Sequence, residues 1–210
     1  MRPKQTDPQT RTDLLNAAMR SMLAKGYNGT TVDEICKAAG VTKGSFFYYF
    51  ASKEDLGKAL LPHFLQMMGQ LLAQGKHRQV TDPLQRIYTY CDDIVSMLAH
   101  PDVPKSCLIG NFSQELAPTQ PAFGEICNSC FTQWAQQLQQ ELDQACELYP
   151  PQVAFTTYSV AEHFLATLEG ALILAKAQQD LNVVQQNLTH FKRYLELLFG
   201  VPQAHQSELR

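Results

Sequence analysis

The sequence lacks the features that would direct a protein into or across a membrane. Its first residues contain no apolar segment of the kind found in signal peptides. The longest apolar stretch, residues 164–175, is interrupted by Glu169 and is too short to span a bilayer. The formal net charge is only −3 and hydrophobic residues make up 45% of the 210 residues, which is typical of a globular protein. We expect a soluble, cytoplasmic protein with no membrane partner.

Signatures of common enzymes and cofactor sites are absent as well. The sequence contains no GxGxxG, Walker, HExxH or GxSxG pattern, and no Glu-x-x-His pair of the kind that helical di-iron proteins use. Cys127 and Cys130 form an isolated CxxC pair, without a second pair or a histidine at zinc-site spacing. We interpret this pair as part of the core, with a redox pair as the alternative. The sequence therefore predicts neither an enzyme nor a metal or cofactor site.

Alternating apolar and polar residues, the pattern of a half-buried strand, do not occur either. The sequence therefore predicts an all-α fold of about nine helices, separated by glycine, proline and capping residues. These helices cover residues 11–25, 31–39, 43–49, 52–75, 82–99, 105–117, 121–148, 152–179 and 182–199. Six scattered cysteines indicate buried small side chains rather than a disulfide framework.

What the sequence does contain is an uneven distribution of charge. Residues 1–60 carry nine basic and six acidic side chains, whereas the remainder carries eight basic and fourteen acidic ones. A basic segment attached to an acidic body indicates that only the first segment contacts a polyanion such as DNA.

Residues 30–53 have the spacing of a helix-turn-helix motif. Thr31 and Glu34 form the capping-box pattern that begins a short helix, and Gly40 ends this helix where the chain must reverse. A second short helix follows at residues 43–49. In this motif the first helix supports the second, which enters the major groove of DNA.

Five consecutive aromatic residues, 46–50, lie in and directly after the second of these helices. Because successive helical residues are about 100° apart, the five side chains cannot all face a core. Phe46 and Phe50 can share the buried face, so that Phe47, Tyr48 and part of Tyr49 point outward. Exposed aromatic residues usually mark a binding surface, while packing against the rest of the protein is the alternative.

These outward residues suit contacts with DNA. Tyr48 and Lys53 would contact phosphates, Lys43 could reach guanine acceptors, and Phe47 could meet a thymine methyl group. The predicted DNA-binding residues are Thr31, Lys37, Thr42, Lys43, Gly44, Ser45, Phe47, Tyr48, Tyr49 and Lys53.

The stretch from about residue 12 to residue 61 resembles the DNA-binding domain of the TetR family of bacterial one-component transcriptional regulators. The matching pieces are Gly26-Tyr27, Thr30-Thr31-Val32, Ile35, Ala39-Gly40-Val41, Lys43-Gly44-Ser45, Phe47-Tyr48-Tyr49-Phe50 and Lys53-Glu54-Asp55-Leu56. The resemblance implies an Ω-shaped homodimer whose paired recognition helices bind a palindromic operator, with Thr31 and Lys53 on phosphates. It also implies a C-terminal domain that binds a small molecule and thereby releases the DNA. We predict a DNA-binding domain over residues 1–52, an effector-binding and dimerisation domain over 53–200, and a flexible tail over 201–210.

The last two predicted helices carry more apolar residues than one buried face requires. An amphipathic surface helix needs only one apolar face, so the surplus face predicts a four-helix bundle with a second copy of the chain. Burial of this surface within one chain is the alternative.

The middle helices contain an aromatic-rich set, namely Phe64, Tyr88, Tyr90, Phe112, Phe123, Phe131, Trp134, Tyr158, His163 and Phe164. Each residue taken alone is interpreted as core, but together they suit an apolar cavity with a few polar groups, as a small-molecule site requires. The predicted effector pocket consists of Phe64, Tyr88, Cys107, Phe112, Phe131, Trp134, Tyr158, His163 and Lys176. His163 is either a polar group of that pocket or a buried histidine with internal hydrogen bonds.

Residues 106–116 open a predicted helix after a proline-rich loop, and they resemble the corresponding segment of the electrophile-sensing, NemR-like branch of the TetR family. In that branch a cysteine at the position of Cys107 is the sensor, and a lysine that matches Lys176 assists it. A cysteine in the first turn of a helix, near Lys105 or Lys176, would favour the reactive thiolate. The resemblance leaves two roles open for Cys107, a covalent sensor or a packing residue.

Two classes of function remain. The favoured one is a repressor that binds operator DNA as a homodimer and is released by a small molecule, with electrophiles among the candidates. The alternative is a helical ligand-binding or interaction protein without operator-specific DNA binding.

Overall fold

A computed structural model describes residues 8–201 and contains nine α-helices, one short 3-10 helix and no strand within that range. The α-helices are α1 Pro8–Lys25, α2 Val32–Ala39, α3 Lys43–Tyr49, α4 Lys53–Leu72, α5 Pro83–Ala99, α6 Leu108–Glu115, α7 Pro121–Leu148, α8 Thr157–Gln178 and α9 Asn182–Phe199. The all-α prediction is confirmed. The predicted flexible tail lies outside the described residues, apart from residue 201.

The structure corrects the bounds of several predicted helices. The helix predicted to reach residue 75 ends at Leu72, and a 3-10 helix that the sequence did not predict follows at Lys76–Gln79. The helix predicted from residue 152 begins only at Thr157, because the side chain of Thr156 accepts a hydrogen bond from the Ser159 backbone and caps it there. The helix predicted over 105–117 is also shorter at both ends.

The chain divides into two compact units, and the described part of the first comprises residues 8–69 and 106–130. Apolar faces of its helices form a core in which the largest fully buried side chains are Leu14, Leu15, Met22, Ile35, Phe46, Leu56, Leu60, Leu61, Phe112 and Phe123. The rings of Tyr27, Phe112 and Phe123 contact one another edge to face, with centroids 5.6–5.7 Å apart. This cluster fixes the turn after α1, which leads into the helix-turn-helix.

The second unit contains residues 70–105 and 131–201 in its described part. Helices α8 and α9 form an antiparallel pair, and Phe164 and Phe191 pack between them with ring centroids 5.2 Å apart. The functional boundary at residue 52 stays a prediction, since the compact units follow packing rather than function. None of the described helices is both long and apolar enough to pass through a lipid bilayer.

Candidate nucleic-acid interface and ligand cavity

Helix α2 begins at the predicted capping box. The Thr31 hydroxyl accepts a hydrogen bond from the Glu34 backbone at 3.3 Å, and the Glu34 carboxylate accepts one from the Thr31 backbone at 2.8 Å. Glu34 also forms an ion pair with Lys25. The bonds from Lys25 and Thr31 lower the pKa of Glu34 to about 2. At the other end of α2, Gly40 has φ +67°, a left-handed conformation that glycine adopts at little cost.

Helix α3 presents its aromatic residues as the sequence predicted. Thr42 caps the helix by accepting a hydrogen bond from the Ser45 backbone at 3.1 Å. Phe46 is fully buried, whereas Phe47 and Tyr48 are 55% and 59% exposed. The buried ring holds α3 against α2, so that the opposite face carries two large side chains into solvent.

Basic residues accompany this exposed aromatic face. Lys43, the first residue of α3, forms an ion pair with Asp33 of α2 at 2.7 Å, and both side chains are more than 60% exposed. Such an exposed pair contributes little to stability, so the ammonium group is available to a phosphate or a base. Lys37 is exposed on α2 as well.

Two of the predicted phosphate-binding residues are engaged within the chain. The Lys53 ammonium donates hydrogen bonds to the carbonyl oxygens of Tyr27 and Thr30, at 3.1 and 3.0 Å, and lies 4.2 Å from the Tyr27 ring centroid. The Thr31 hydroxyl is part of the capping box. The contacts of Lys53 organise the turn before α2, a role that the sequence did not predict, whereas the capping box of Thr31 was predicted.

Glu115, the last residue of α6, also binds the turn before α2. Its carboxylate accepts hydrogen bonds from the backbone amides of Tyr27 and Asn28 at 2.8 and 2.7 Å. Burial, with repulsion from the carboxylates of Glu54 and Glu115, raises the pKa of Tyr27 to about 12. Glu115 is a residue that sequence reasoning missed, because 87 residues separate it from Asn28 and no local pattern links them.

The predicted pocket residues are distributed over both units. Phe64, Cys107 and Phe112 are buried in the first, and Cys107 occupies the N-cap position of α6. In the second unit His163 and Lys176 are exposed. The interpretation of His163 as a buried histidine is therefore wrong, because its ring lies on the outer face of α8 beside Phe191 and Tyr194.

The remaining predicted pocket residues also belong to the second unit. Phe131, Trp134 and Tyr158 are half-buried, whereas Tyr88 is buried, and its hydroxyl has no hydrogen-bond partner within the described range. Lys105, proposed as a helper of Cys107, donates to the carbonyl oxygen of His100.

A cavity of about 170 Å³ lies within the second unit, between the 3-10 helix, α5 and α7. Trp134 is the only member of the predicted pocket that lines it. The lining residues are His77, Arg78, Arg86, Ile87, Tyr90, Trp134, Gln137, Leu138, Gln140 and Glu141.

Internal hydrogen bonds fix the polar walls of this cavity. The Trp134 indole donates a hydrogen bond to the Tyr90 hydroxyl oxygen at 2.8 Å. Arg86 forms an ion pair with Glu141 at 2.5 Å and donates to the carbonyl oxygens of Val80 and Thr81.

Asp93 holds His77 in place on the same side. One oxygen of its carboxylate lies 2.7 Å from Nδ1 of His77 and accepts a hydrogen bond from the His77 backbone amide at 2.9 Å. Burial opposes ionisation of Asp93, but the hydrogen bonds from His77 and from the Lys76 backbone outweigh this effect and lower its pKa. A β-carbon on Gly75 would lie 2.4 Å from the bonded Asp93 oxygen, so glycine permits this close approach.

The cysteines other than Cys107 have the properties of packing residues. Burial raises the pKa of the thiols of Cys36, Cys91, Cys127, Cys130 and Cys146, which disfavours the reactive thiolate. Cys127 and Cys130 are both buried, in agreement with their interpretation as core. Within residues 8–201, no three histidine, cysteine or acidic side chains come together as metal ligands.

Helices α8 and α9 leave large apolar side chains in solvent. Ile173 and Leu174 of α8 are 50% and 47% exposed, and Leu197 of α9 is 77% exposed. They lie on the two helices for which the sequence predicts a surplus apolar face, and of the three only Leu174 was among the apolar residues that this prediction used.

Comparison with known proteins identifies the family. Residues 14–60 match the family described as bacterial regulatory proteins, tetR family, and residues 83–191 match the tetracyclin repressor-like C-terminal domain. The chain is 30% identical over 165 residues to the transcriptional regulator AcuR of Cereibacter sphaeroides, covering 79% of this chain and 75% of AcuR. It is 25% identical over 196 residues to the HTH-type transcriptional repressor NemR of Escherichia coli K12, covering 91% and 96%.

A solved structure agrees with these matches. The crystal structure of regulatory protein TetR from Rhodobacter sphaeroides aligns with a TM-score of 0.79 and 28% identity, covering 88% of this chain and 98% of that one. The predicted resemblance to the TetR family and to NemR is confirmed. TetR regulators bind operator DNA and small-molecule effectors, act as dimers, and are generally not enzymes. The chain therefore belongs to the TetR family of bacterial transcriptional regulators.

Proposed function

We propose that this regulator is a cytoplasmic repressor that binds a palindromic operator as a homodimer and leaves it when a small molecule binds. NemR, which this chain matches over 96% of the NemR sequence, is named a repressor. A homodimer with twofold symmetry presents two identical recognition helices, and such a pair reads two half-sites in inverted orientation.

The observation that carries the proposal is the exposed face of α3. Phe47 and Tyr48 are large, exposed and placed beside Lys43, while Phe46 anchors the helix from behind. Large exposed aromatic residues cost hydrophobic free energy in water, so their presence beside a cation indicates a partner surface. We assign Phe47 to a thymine methyl group, Tyr48 to a phosphate and Lys43 to guanine acceptors.

The other residues of α3 that the sequence predicted to bind DNA are proposed to do so because they lie next to this exposed face. Thr42 caps α3, Gly44 and Ser45 lie in its first turn, and Tyr49 is half-exposed at its end. Thr31 and Lys53 contribute indirectly in this proposal, because their side chains hold the turn that positions α2 and α3.

The dimer is proposed to form through α8 and α9. Pairing of the exposed side chains of Ile173, Leu174 and Leu197 with those of a second copy would remove them from water. A four-helix bundle of two α8–α9 pairs is the simplest arrangement that does so.

The release step is proposed to act through α6. Glu115 connects the end of this helix to the turn at Tyr27 and Asn28, and this turn leads directly into the helix-turn-helix. A displacement of α6 would therefore change the orientation of α2 and α3. Covalent reaction of an electrophile at Cys107 stays a prediction. Its side chain is 7% exposed, and mass spectrometry after N-ethylmaleimide treatment, with operator release followed in parallel, tests it.

Selection of bound duplexes from a random library, followed by anisotropy titration, tests DNA binding. We expect an inverted repeat to be enriched, and affinity to fall steeply with salt because each phosphate contact made by a cation releases a counterion. Lys43→Ala and Tyr48→Ala should each weaken binding by about fivefold to a hundredfold, on the order of 1–3 kcal/mol per base or charged contact. Lys76→Ala, an exposed lysine of the second unit, is the matched control and should bind like the parent.

Two outcomes would contradict the proposal. No enriched sequence would favour the alternative of a helical ligand-binding protein without operator-specific binding. Normal affinity of both α3 variants would show that another surface contacts the DNA.

A further inference from the structure

We propose that the cavity between the 3-10 helix, α5 and α7 binds a small planar aromatic carboxylate, and that this ligand is the effector. This inference rests on the proposed function, because it identifies the small molecule that releases the proposed repressor and the place where that molecule binds. The cavity is separate from the DNA-binding surface, and its lining residues belong to the second unit alone.

The charge of the cavity favours an anion. Arg86 is already neutralised by Glu141, and two more of its donors bind backbone carbonyl oxygens. Arg78 is exposed at the rim and has no ion pair with any residue in the range 8–201. Arg78 is therefore the arginine of the lining whose charge is not offset by an ion pair, and its planar guanidinium group is well suited to two parallel hydrogen bonds with a carboxylate.

The Tyr90 hydroxyl supplies a hydrogen-bond donor beside this cation. Its oxygen accepts the indole N–H of Trp134, and its own hydrogen has no acceptor among the residues that the structure describes. Burial raises the pKa of Tyr90 far above its ordinary value, so the hydroxyl keeps its proton and acts as a donor. Tyr90 is half-buried in the cavity wall, and a ligand oxygen in the cavity could accept a hydrogen bond from its hydroxyl.

The apolar part of the lining favours a flat ligand body. Trp134 presents an aromatic ring, and Ile87 and Leu138 add aliphatic surface. The volume of about 170 Å³ is close to the roughly 150 Å³ of an apolar cavity that can hold a benzene ring. A single aromatic ring bearing one carboxylate, such as benzoate, satisfies the charge, the donor and the size together.

The chain contains one tryptophan, and it lies in this wall, so intrinsic fluorescence reports on the cavity directly. We expect titration of the full-length protein with benzoate to change Trp134 emission in a saturable way. Benzamide has the same shape without the negative charge, and we expect it to bind at least tenfold more weakly, because a hydrogen bond to a charged group contributes about 1.5–3 kcal/mol.

Three variants separate the contributions to binding. Arg78→Gln should weaken benzoate binding about tenfold or more, and Tyr90→Phe several-fold, with thermal unfolding measured to establish that both variants fold. Lys76→Gln removes the same charge from the same 3-10 helix outside the cavity and should leave the dissociation constant unchanged. Equal binding of benzoate and benzamide, equal effects of Arg78→Gln and Lys76→Gln, or an unchanged Trp134 emission would each overturn the inference.

The effector role is measured separately on the selected operator. Benzoate should lower the operator affinity of the parent but not that of Arg78→Gln. Binding of benzoate without any change in operator affinity would overturn the effector role. If the protein selects no operator at all, the proposed function fails while the fluorescence titration still decides whether the cavity binds a carboxylate.

Discussion

Gly75 shows how much a single residue constrains the wall of the cavity between the 3-10 helix, α5 and α7. Its missing side chain leaves room for Asp93 to hold His77, and a β-carbon there would lie 2.4 Å from the Asp93 oxygen and 2.7 Å from Nδ1 of His77. The sequence did not predict that this position requires glycine, because Gly75 was interpreted only as the end of a helix.

Substitution of Gly75 by alanine should therefore destabilise the protein. We expect Gly75→Ala to lower the free energy of unfolding by about 1–3 kcal/mol, the usual cost of forcing an extra carbon into a packed site. Urea denaturation measures this change. Gly69→Ala is the control, because a β-carbon at this helical position meets nothing within 4 Å and should raise stability by about 0.5–1 kcal/mol. An unchanged free energy of unfolding in Gly75→Ala would contradict this prediction, because it would show that His77 and Asp93 can move apart without cost.

Long-range polar contacts are the residue-scale features that the sequence could not predict. Lys53 was assigned to phosphate because it follows the recognition helix, but its ammonium bonds to carbonyl oxygens 23 and 26 residues away. The same holds for Glu115 on the turn before α2. Such pairs depend on tertiary packing, and no periodicity or capping pattern records them.

Helix beginnings, in contrast, follow from local chemistry. The capping box of α2 and the cap of α3 were predictable because donor and acceptor are three residues apart. The orientation of the aromatic residues of α3 was predictable for a similar reason, since helical geometry alone separates Phe46 from Phe47. The 3-10 helix was not predictable, because four residues are too few to show a period.

The capping box gives helix α2 a stability that depends on pH. The folded pKa of Glu34, about 2, lies below its ordinary value of 4.5, so the carboxylate stabilises the fold at pH values above 4.5. This contribution is lost as the pH falls from 4.5 towards 2. We expect Glu34→Gln to be less stable than the parent at neutral pH, with a difference that shrinks over that acid range.

Urea denaturation at several pH values checks this expectation. Added salt should also reduce the difference, because both Glu34 and Lys25 are exposed and their attraction is screened. Glu125→Gln, which changes an exposed carboxylate of α7 with no ion pair in the described part of the chain, should show neither effect. A Glu34→Gln difference that persists unchanged at pH 2 would mean that the charge of Glu34 does not stabilise the helix.

At the scale of the whole molecule, the apolar surface of α8 and α9 predicts the assembly. Leu197→Glu would place a charge in the proposed interface, and we expect it to weaken the dimer at least about a hundredfold, since an unpaired buried charge costs several kcal/mol. Analytical ultracentrifugation measures the dissociation constant. Operator affinity should fall with it, because a monomer contacts only one half-site.

A matched substitution elsewhere separates interface effects from general ones. Leu148 of α7 is 62% exposed, so Leu148→Glu introduces the same charge on an exposed apolar side chain outside α8 and α9. We expect this variant to remain dimeric. Dissociation of both variants, or of neither, would place the dimer interface on another surface.

The prediction from sequence was strongest for the family and weakest for the cavity that we propose as the effector site. The family motifs lie in a continuous stretch around α2 and α3, where neighbours in sequence are neighbours in space. The cavity instead combines α5, α7 and a 3-10 helix, and only Trp134 was included in the predicted pocket. A set of aromatic residues cannot reveal which of them line a cavity and which, like Phe112, fill the core.

Helix α6 connects Cys107, its N-cap residue, to Glu115, its last residue. Its eight residues separate Cys107 from Glu115 by about 12 Å at a rise of 1.5 Å per residue. Both bonds of Glu115 come from a single carboxylate at 2.7 and 2.8 Å, so a withdrawal of about 1 Å would lengthen both past the normal limit at once. If α6 moves on effector binding as proposed, both bonds would therefore break together, and the turn at Tyr27 and Asn28 would be released in a single step.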